Sequence, residues 1–586
     1  MTTPRTPRRR GTGASRARFL LALLLPALLV LAGCATIPTT SGIGSRPLPE
    51  EDGTEVVQPD PDGPAEGAEV GEIVRGFLQA GTGYADDHGT ARQYLTGDFQ
   101  QSWQPSSSVL VLTEGTTLSS LTPTVAEDQT RVTVQVPVVA TLDGANVLHE
   151  VPRGTSSELQ FTLRQIDGEW RIMDGPDGTV MSARDFDTLY KQFPLYFFTP
   201  DLQALVPDDR WVMRTPAIAT EVVQLLLAGP AEHLGSSVVS SLPLGVRLEP
   251  SAVTVTDGRA AVGLSAEADS MSAEAQARMI AQIDRTLGDI TSEVTVSAPS
   301  GDLQVDPVSS LGTYSPSEQR FIGIREEDRR LVIGARSSEL EPVEDLDPLP
   351  EDAAAPAISP GGDVFAWLRD DGASLVRYRP GQDPATVLTA QDDGAFRGPS
   401  VDRFGTLWVY DTARGAIRTV TSAGATTDIS AGFLTDREVR GLQVSRDGTR
   451  LAVLSTDTDG VGTRVDVVGI LRSGARSDAT GLASTTTLQI GLRHTGIRDL
   501  SWAGPDALVL LVADTDESDA SSARVVHHTL AGVERELGKP EDAVDVTAPE
   551  DGTRVRAATP DGDVWELDAG TSQVNAVGVV DVAFPG

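Results

Sequence analysis

The spacing of the apolar residues changes along the chain, and each change predicts a different domain. Between residues 69 and 193 the apolar residues first follow a helical period and then alternate, as they do in an antiparallel sheet. Helical and extended patterns mix again between 194 and 312, and from 318 to 586 short strands follow turns at a regular interval. The pattern predicts a multidomain protein with two α+β domains followed by an all-β domain.

In the first predicted domain the helical segments precede the strands. Apolar residues at helical spacing are Val70, Ile73, Val74, Phe77 and Leu78, and then Ala91, Tyr94, Leu95 and Phe99. Strands are predicted at 109–112 and 131–140, and a hairpin at 159–172 turns at Asp167-Gly168. The order, and the phrase Ile-Asp-Gly-Glu-Trp-Arg-Ile at 166–172, resemble the cone-shaped NTF2-like fold.

Such cones often bury a ligand pocket. Aromatic side chains that could line one are Tyr84, Tyr94, Trp103 and Trp170. Filling the hydrophobic core is the favoured role for these aromatic residues.

The second predicted domain contains two helices and a hairpin. The helices are predicted at 217–228, closed by Gly229-Pro230, and from the N-cap candidate Ser272 to Leu287. Strands are predicted at 195–198, at 253–256 and 260–264 around an Asp-Gly turn, and at 294–296. The phrases at 225–230, 242–248 and 253–265 resemble the GerMN domain of sporulation and germination lipoproteins. GerMN domains are interaction or ligand-binding modules with no known catalytic residues, so the resemblance implies a fold and no reaction.

The third region repeats a turn followed by a strand. Gly362, Gly405 and Gly448 each close such a turn, and they are separated by 43 residues and again by 43 residues. Looser copies follow at 502–512, 550–555 and 561–565. A turn and strand that recur every 40 to 45 residues are the signature of propeller blades, and the length of this region predicts about six blades.

The N-terminus carries the pattern of a secretory signal. Six arginines precede a fourteen-residue apolar run from Phe19 to Ala32, which is shorter than a membrane-spanning helix. Leu31-Ala32-Gly33-Cys34 resembles the bacterial lipobox, which implies cleavage between Gly33 and Cys34, a diacylglyceryl group on the Cys34 thiol and acylation of its amine. Residues 1–33 are therefore predicted to be a lipoprotein signal peptide, and the alternative is an ordinary secretory signal or an N-terminal anchor with an incidental cysteine. Residues 34–68 are rich in Pro, Gly and acids and predict a disordered tether.

Charge and cysteine content narrow the possible functions. Without the six arginines of the signal, 41 basic and 84 acidic side chains remain, a net charge of −43. Such an acidic chain lacks the basic footprint of a nucleic-acid binder and is repelled by anionic lipids. Membrane affinity therefore has to come from the lipid on Cys34, the single cysteine, which leaves neither a disulfide nor a thiol nucleophile.

A search for chemical motifs predicts no catalytic, cofactor-binding or metal-binding residues. His149-Glu150 begins like a zinc helix, but Arg153 occupies the position of the second ligand and Pro152 breaks the helix. His527 and His528 would point to opposite faces of a strand. The acidic run at 514–519 lacks the glycine and the closing glutamate of an EF-hand, so a solvated loop is favoured over a Ca²⁺ site.

The order of lipobox, α+β domain, GerMN domain and propeller resembles the LpqB family of actinobacterial lipoproteins over nearly the whole mature chain. Phrases at 399–411 and 444–454 are similar to blades of that family. The resemblance implies a lipid-anchored protein on the extracytoplasmic face of the cell membrane. Its partner would be the extracytoplasmic domain of a sensor histidine kinase of the MtrA/MtrB two-component type, through which it would tune cell-wall homeostasis and division.

Two other functions stay open. One is a receptor for a cell-wall fragment, bound in the first or second domain. The other is a propeller hydrolase or lyase acting on wall polymers, which would use a carboxylate pair that no motif identifies.

Overall fold

The computed structural model describes residues 1–2, 61–128, 130–308, 320–334, 340–458, 460, 462–473, 478–513, 523–568 and 571–585. Cys34, nearly all of the predicted signal and the acidic run at 514–519 lie outside these residues. Among the helices of the described part, none is both long and apolar enough to cross a membrane.

The first domain begins with a capped amphipathic helix. Its helices are α1 (Val70–Ala80), α2 (Gly89–Arg92), α3 (Gly97–Ser102) and α4 (Ala183–Leu189). The backbone N–H of Glu69 donates to Glu72 Oε2 at 3.0 Å, so the first turn of α1 is capped by its own sequence. The apolar side of α1, with Ile73, Val74 and Phe77, is buried against the sheet that follows.

That sheet is organised around one long strand. The strands are β1 (Ser108–Leu112), β2 (Thr124–Val125), β3 (Arg131–Asp143), β4 (Leu148–Glu150), β5 (Ser156–Ile166), β6 (Glu169–Asp174) and β7 (Thr179–Met181). The first half of β3 pairs with β5 and the second half with β1 and β4. The predicted α+β order and the hairpin turn at Asp167-Gly168 are confirmed. The side chains of Tyr94 and Trp103 lie in the core and Trp170 packs against it, as favoured above, whereas Tyr84 is only partly buried and is not part of that core.

A long hairpin connects the first domain to the second. It consists of β8 (Tyr190–Phe198) and β9 (Leu205–Met213), which pair along their whole length. The strand β8 begins before the boundary predicted at 193/194, and the sequence pattern did not indicate β9.

The second domain is a small sheet packed against two helices. Its elements are α5 (Ile218–Ala228), β10 (Thr254–Thr256), β11 (Arg259–Gly263), α6 (Ala273–Thr286), β12 (Glu293–Ala298) and β13 (Gly301–Asp302). The Ser272 side chain accepts a hydrogen bond from the Ala275 N–H, which confirms it as the N-cap of α6. Because β11 and β12 run parallel, α6 provides the crossover between them.

The third domain is a propeller, in which the described residues form six blades. Its strands are β14 (Phe321–Arg325), β15 (Leu331–Gly334), β16 (Leu340–Pro342), β17 (Ala354–Ile358), β18 (Phe365–Arg369), β19 (Ser374–Tyr378), β20 (Ala385–Thr389), β21 (Phe396–Val401), β22 (Leu407–Asp411), β23 (Ala416–Val420), β24 (Thr426–Ile429), β25 (Arg437–Val444), β26 (Arg450–Asp457), β27 (Thr463–Ser473), β28 (Asp478–Leu482), β29 (Leu488–Ile490), β30 (Ile497–Trp502), β31 (Ala507–Ala513), β32 (Ala523–Thr529), β33 (Glu534–Gly538), β34 (Asp545–Thr547), β35 (Val555–Ala558), β36 (Val564–Asp568), β37 (Thr571–Ala576) and β38 (Val579–Ala583).

The last strand closes the ring. β38 pairs with β14, so the first blade has the order β16-β15-β14-β38 and joins both ends of the domain. Each later blade uses consecutive strands, and the inner strands β38, β17, β21, β25, β30 and β34 lie side by side around the axis. The predicted propeller of about six blades is confirmed.

The repeated turn has a clear structural role in the third blade. Asp402 is fully buried, and its Oδ1 accepts the backbone N–H groups of Phe404 and Thr406 at 2.9 and 3.0 Å. Gly405 has φ +72°, a conformation that other residues resist. Asp402 Oδ2 accepts from Trp408 Nε1 at 3.0 Å and from the guanidinium of Arg472 at 2.8 Å. One carboxylate therefore fixes the turn, a core tryptophan and a strand of the next blade.

Replacing Asp402 with alanine is expected to destabilise the propeller strongly. Arg472, only 2% exposed, would keep its charge without this carboxylate, and breaking such a buried pair costs about 3–5 kcal/mol. Urea denaturation followed by tryptophan fluorescence measures the loss. The matched control is Asp383→Ala, an exposed position for which a change below about 0.5 kcal/mol is expected. Equal stability of the two variants would contradict this role of Asp402.

Candidate functional site between the first domain and the propeller

The end of β4 and the fifth blade meet in a buried group of charged side chains. Glu150 is the last residue of β4, His528 lies near the end of β32, and Glu534 begins β33. Glu150 Oε1 lies 2.7 Å from His528 Nε2, and Glu534 Oε1 lies 3.3 Å from the same nitrogen. The His528 side chain is completely buried, that of Glu150 nearly so, and 22% of the Glu534 side chain is exposed. We call these three residues the interdomain cluster.

Both ring nitrogens of His528 are engaged. Nδ1 donates to the backbone carbonyl of Thr529 at 2.7 Å, since a carbonyl only accepts, and Nε2 faces the two carboxylates. Burial alone would lower the pKa of His528, but the hydrogen bonds and charges of Glu150 and Glu534 outweigh burial and raise its pKa to about 9. The interdomain cluster at neutral pH is therefore an imidazolium held between two carboxylates.

A second layer of polar groups holds the carboxylates in place. Glu150 Oε2 accepts the backbone N–H of Leu492 at 3.1 Å. Glu534 Oε1 lies 3.0 Å from His494 Nε2 and 3.4 Å from the guanidinium of Arg493. Burial would raise the pKa of Glu534, but the hydrogen bonds from His494 and His528 hold the pKa below the usual range of a glutamate.

A cavity of about 390 Å³ adjoins the interdomain cluster. Its walls come from the first domain, from α4, from the β8–β9 hairpin and from the propeller, and they include Glu150 and Glu534. Trp211 of the hairpin closes one side, because its Nε1 donates to the carbonyl of Ala531 at 2.9 Å. On another wall, burial and the neighbouring charge of Glu114 raise the pKa of Asp187. The cavity is thus apolar in part and acidic at its edge.

A second cavity, of about 300 Å³, lies on the axis of the propeller among the inner strands. Asp499, Asp545 and Asp581 come from three successive blades, and Arg440 and Arg498 line the same space. Burial raises the pKa of all three aspartates, and repulsion from Asp499 and Asp581 adds to this effect at Asp545. We call this space the axial channel. It presents carboxyl and guanidinium groups together, an arrangement that suits a ligand with both positive and negative groups.

The structure brings together residues that the sequence analysis kept apart. His149 and Glu150 lie in a strand, where His149 contacts Asp143 at 2.8 Å and Glu150 faces the propeller. His528 is buried while His527 is half-buried, which agrees with opposite faces of β32. Sequence analysis predicted no metal site, yet Glu150, His528 and Glu534 offer ligand atoms within 4.8 Å of one another. The predicted lipidation residue, Cys34, lies outside the described residues.

Asp545→Asn is expected to reduce the loss of stability at alkaline pH. An aspartate whose pKa is raised in the folded state is penalised when ionised, so its contribution to stability falls as pH rises above its unfolded pKa of about 3.9. Between about pH 5 and about pH 9 the melting temperature should fall less in the variant than in wild type. The difference between the two should reach a few degrees at the upper end of this range. Asp561→Asn, an exposed change in the same blade, serves as the control. Parallel curves for wild type and Asp545→Asn would contradict the expectation.

Three family models together match most of the described chain. Residues 63–187 match the "Lipoprotein LpqB, N-terminal domain", residues 194–298 match "Sporulation and spore germination", and residues 329–577 match the "Lipoprotein LpqB beta-propeller domain". The order is the one that the sequence resemblance implied.

Relatives of similar length carry the same name. Lipoprotein LpqB of Thermobifida fusca is 27% identical over 555 residues, covering 82% of this chain and 85% of the relative. Lipoprotein LpqB of Streptomyces coelicolor is 29% identical over 544 residues, covering 85% and 87%.

Two solved structures each resemble less than half of the chain. TolB from Acinetobacter baumannii is 12% identical, with a TM-score of 0.33, and covers 45% of this chain and 65% of its own. A chain of the nidogen/laminin complex is 13% identical, with the same TM-score, and covers 45% and 97%. The three matched domains and the full-length relatives agree, and the chain belongs to the LpqB lipoprotein family.

Proposed function

We propose that this lipoprotein is held by lipid on Cys34 at the extracytoplasmic face of the cell membrane, where it regulates a sensor histidine kinase of the MtrA/MtrB type. In this proposal it binds the extracytoplasmic part of the kinase and tunes signalling that controls cell-wall homeostasis and division. It is an accessory protein and catalyses no reaction.

The lipobox is the observation that carries the proposal. Leu31-Ala32-Gly33-Cys34 contains the single cysteine of the chain, and it follows a basic and then an apolar segment. The remaining chain is too acidic to adhere to anionic lipids by charge. Buried acyl chains contribute roughly 0.8 kcal/mol for each methylene, and two or more chains anchor a protein stably.

In this proposal the lipid anchor compensates for a weak interface with the kinase. A protein confined to the membrane plane meets a kinase ectodomain there at high effective concentration, so an interface of modest affinity suffices. Binding one conformation of the kinase more tightly than the other would shift the equilibrium between its signalling states.

The polar contacts that hold the domains together favour a role as a binding partner of the kinase. The β8–β9 hairpin contacts both the first domain and the propeller: the Arg210 guanidinium donates to the Ala145 carbonyl at 2.6 Å, and Arg403 pairs with Asp201 at 2.6 Å. Domains that are already fixed in one arrangement lose little conformational freedom when a partner binds them. The relatives from Thermobifida fusca and Streptomyces avermitilis carry the name of a lipoprotein, in keeping with a membrane-anchored protein.

Cys34→Ala is expected to release the protein from the membrane. Without the thiol no diacylglyceryl group can be attached, and the acidic body has no other membrane affinity. Fractionation should move the variant to the soluble phase, and in-cell crosslinking should capture the kinase ectodomain at least about tenfold less. Ser41→Ala, in the same predicted tether, is the control. A variant that stays in the membrane fraction and still captures the kinase would contradict the proposal.

A second candidate function, a receptor for cell-wall fragments, is favoured by the axial channel, which lies in the propeller and not in the first or second domain where the sequence analysis placed such a ligand. Its carboxyl and guanidinium groups can pair with the ammonium and carboxylate groups of a wall peptide. A disaccharide-tetrapeptide muropeptide, added at about 100 times its Kd, would stabilise the protein by about 2.7 kcal/mol. The melting temperature should rise in wild type and in Asp561→Asn, and much less in Asp545→Asn. No shift in wild type, or an equal shift in all three, would contradict binding in the channel.

A further inference from the structure

The interdomain cluster has the composition of a transition-metal site. One imidazole nitrogen and two carboxylates are the ligands that Zn²⁺ and related ions take, whereas Ca²⁺ and Mg²⁺ prefer oxygen alone. The ligand atoms of Glu150, His528 and Glu534 all lie within 4.8 Å of one another. With a neutral imidazole the two carboxylates carry the charge of −2 that balances one divalent ion.

His528 is oriented as metal-binding histidines are. Its Nδ1–H donates to the Thr529 carbonyl at 2.7 Å, which directs Nε2 towards the carboxylates. The carbonyl belongs to the backbone, so this orientation does not depend on the carboxylates themselves.

Spacing among the ligand atoms is close to that of a tetrahedral site. Metal–ligand bonds of about 2.0 Å place neighbouring ligand atoms about 3.3 Å apart. The distance from His528 Nε2 to Glu534 Oε1 is already 3.3 Å, and that to Glu150 Oε1 is 2.7 Å. A shift of about 0.6 Å by the Glu150 carboxylate would bring its distance from Nε2 to the same value, and the third pair, between the two carboxylate oxygens, lies within 4.8 Å.

Glu150 and Glu534 also reach the neighbouring cavity. Both line its wall, so ions can enter from it and water can occupy the remaining coordination position. Outside the cluster, the Leu492 N–H holds Glu150 Oε2, and His494 and Arg493 hold Glu534 Oε1. His494 is therefore a positioning residue for Glu534.

We propose that Glu150, His528 and Glu534 bind a divalent transition-metal ion of the Zn²⁺ type, which joins the first domain to the propeller. The ion takes the place of the Nε2 proton that otherwise links the same two carboxylates. Glu150 comes from one domain and His528 and Glu534 from the other, so the bound ion stabilises their contact.

The test uses the untagged mature chain after treatment with a chelator. One equivalent of Zn²⁺ should bind in calorimetry and raise the melting temperature, and Co²⁺ should give the visible absorption of a tetrahedral site. The same concentration of Mg²⁺ should have no effect.

Variants locate the site. Glu534→Gln, at the half-buried edge, should fold and bind Zn²⁺ at least about tenfold more weakly, and His528→Gln should lose binding. Glu536→Gln, an exposed position in the same strand, should bind as wild type does. The proposal is overturned if wild type binds no Zn²⁺, or if Glu534→Gln binds it with unchanged affinity. Either result leaves the cluster as an ion pair only.

Discussion

A buried guanidinium is the constraint on which the assembly of the domains depends. Arg210 is 2% exposed, and a charge this deeply buried is tolerated only when fully paired. Two of its nitrogens donate to Asp208 at 3.1 and 2.6 Å, and a third donates to the Ala145 carbonyl of the first domain. Asp208 also accepts the N–H of Ala231 at 2.8 Å. Satisfying Arg210 thus requires the hairpin, the second domain and the first domain to meet in one arrangement.

The β8–β9 hairpin also contacts the propeller through polar groups. Its Trp211 donates to Ala531, its Pro207 carbonyl lies 3.5 Å from Arg450, and Asp201, in its turn, pairs with Arg403. These polar contacts have directions, so they specify orientation in a way that apolar burial alone does not. The interdomain cluster lies beside this contact region and adds a second charged link between the first domain and the propeller.

Individual helices, strands and turns could be predicted because the residue patterns that specify them lie within the elements themselves. The helical spacing of Val70 to Phe77 and the alternation around Phe161 predict α1 and β5, and the turns that end at Gly362, Gly405 and Gly448 predict successive blades. The strand β9 was missed because its sequence, Leu-Val-Pro-Asp-Asp-Arg-Trp-Val-Met, contains three charged residues and a proline. Burial of Asp208 and Arg210 depends on their pairing with each other, which no periodicity records.

The interdomain cluster was beyond sequence analysis for a related reason. Glu150 and His528 are 378 residues apart in the sequence. Each follows another histidine, and sequence analysis considered the pairs His149-Glu150 and His527-His528 separately and predicted a metal site at neither. A period-two pattern in β32 correctly separates His527 from His528, but it does not say which of them meets a carboxylate from another domain. Only the packing of the first domain against the fifth blade brings the three side chains together.

The proposed function rests on an acidic three-domain body held to the membrane through one lipidated residue, Cys34. Mass spectrometry of the N-terminal peptide from the native protein tests that claim most directly. We expect a chain that begins at Cys34 with a diacylglyceryl group on its sulfur. A chain that begins elsewhere, or an unmodified Cys34, would contradict it.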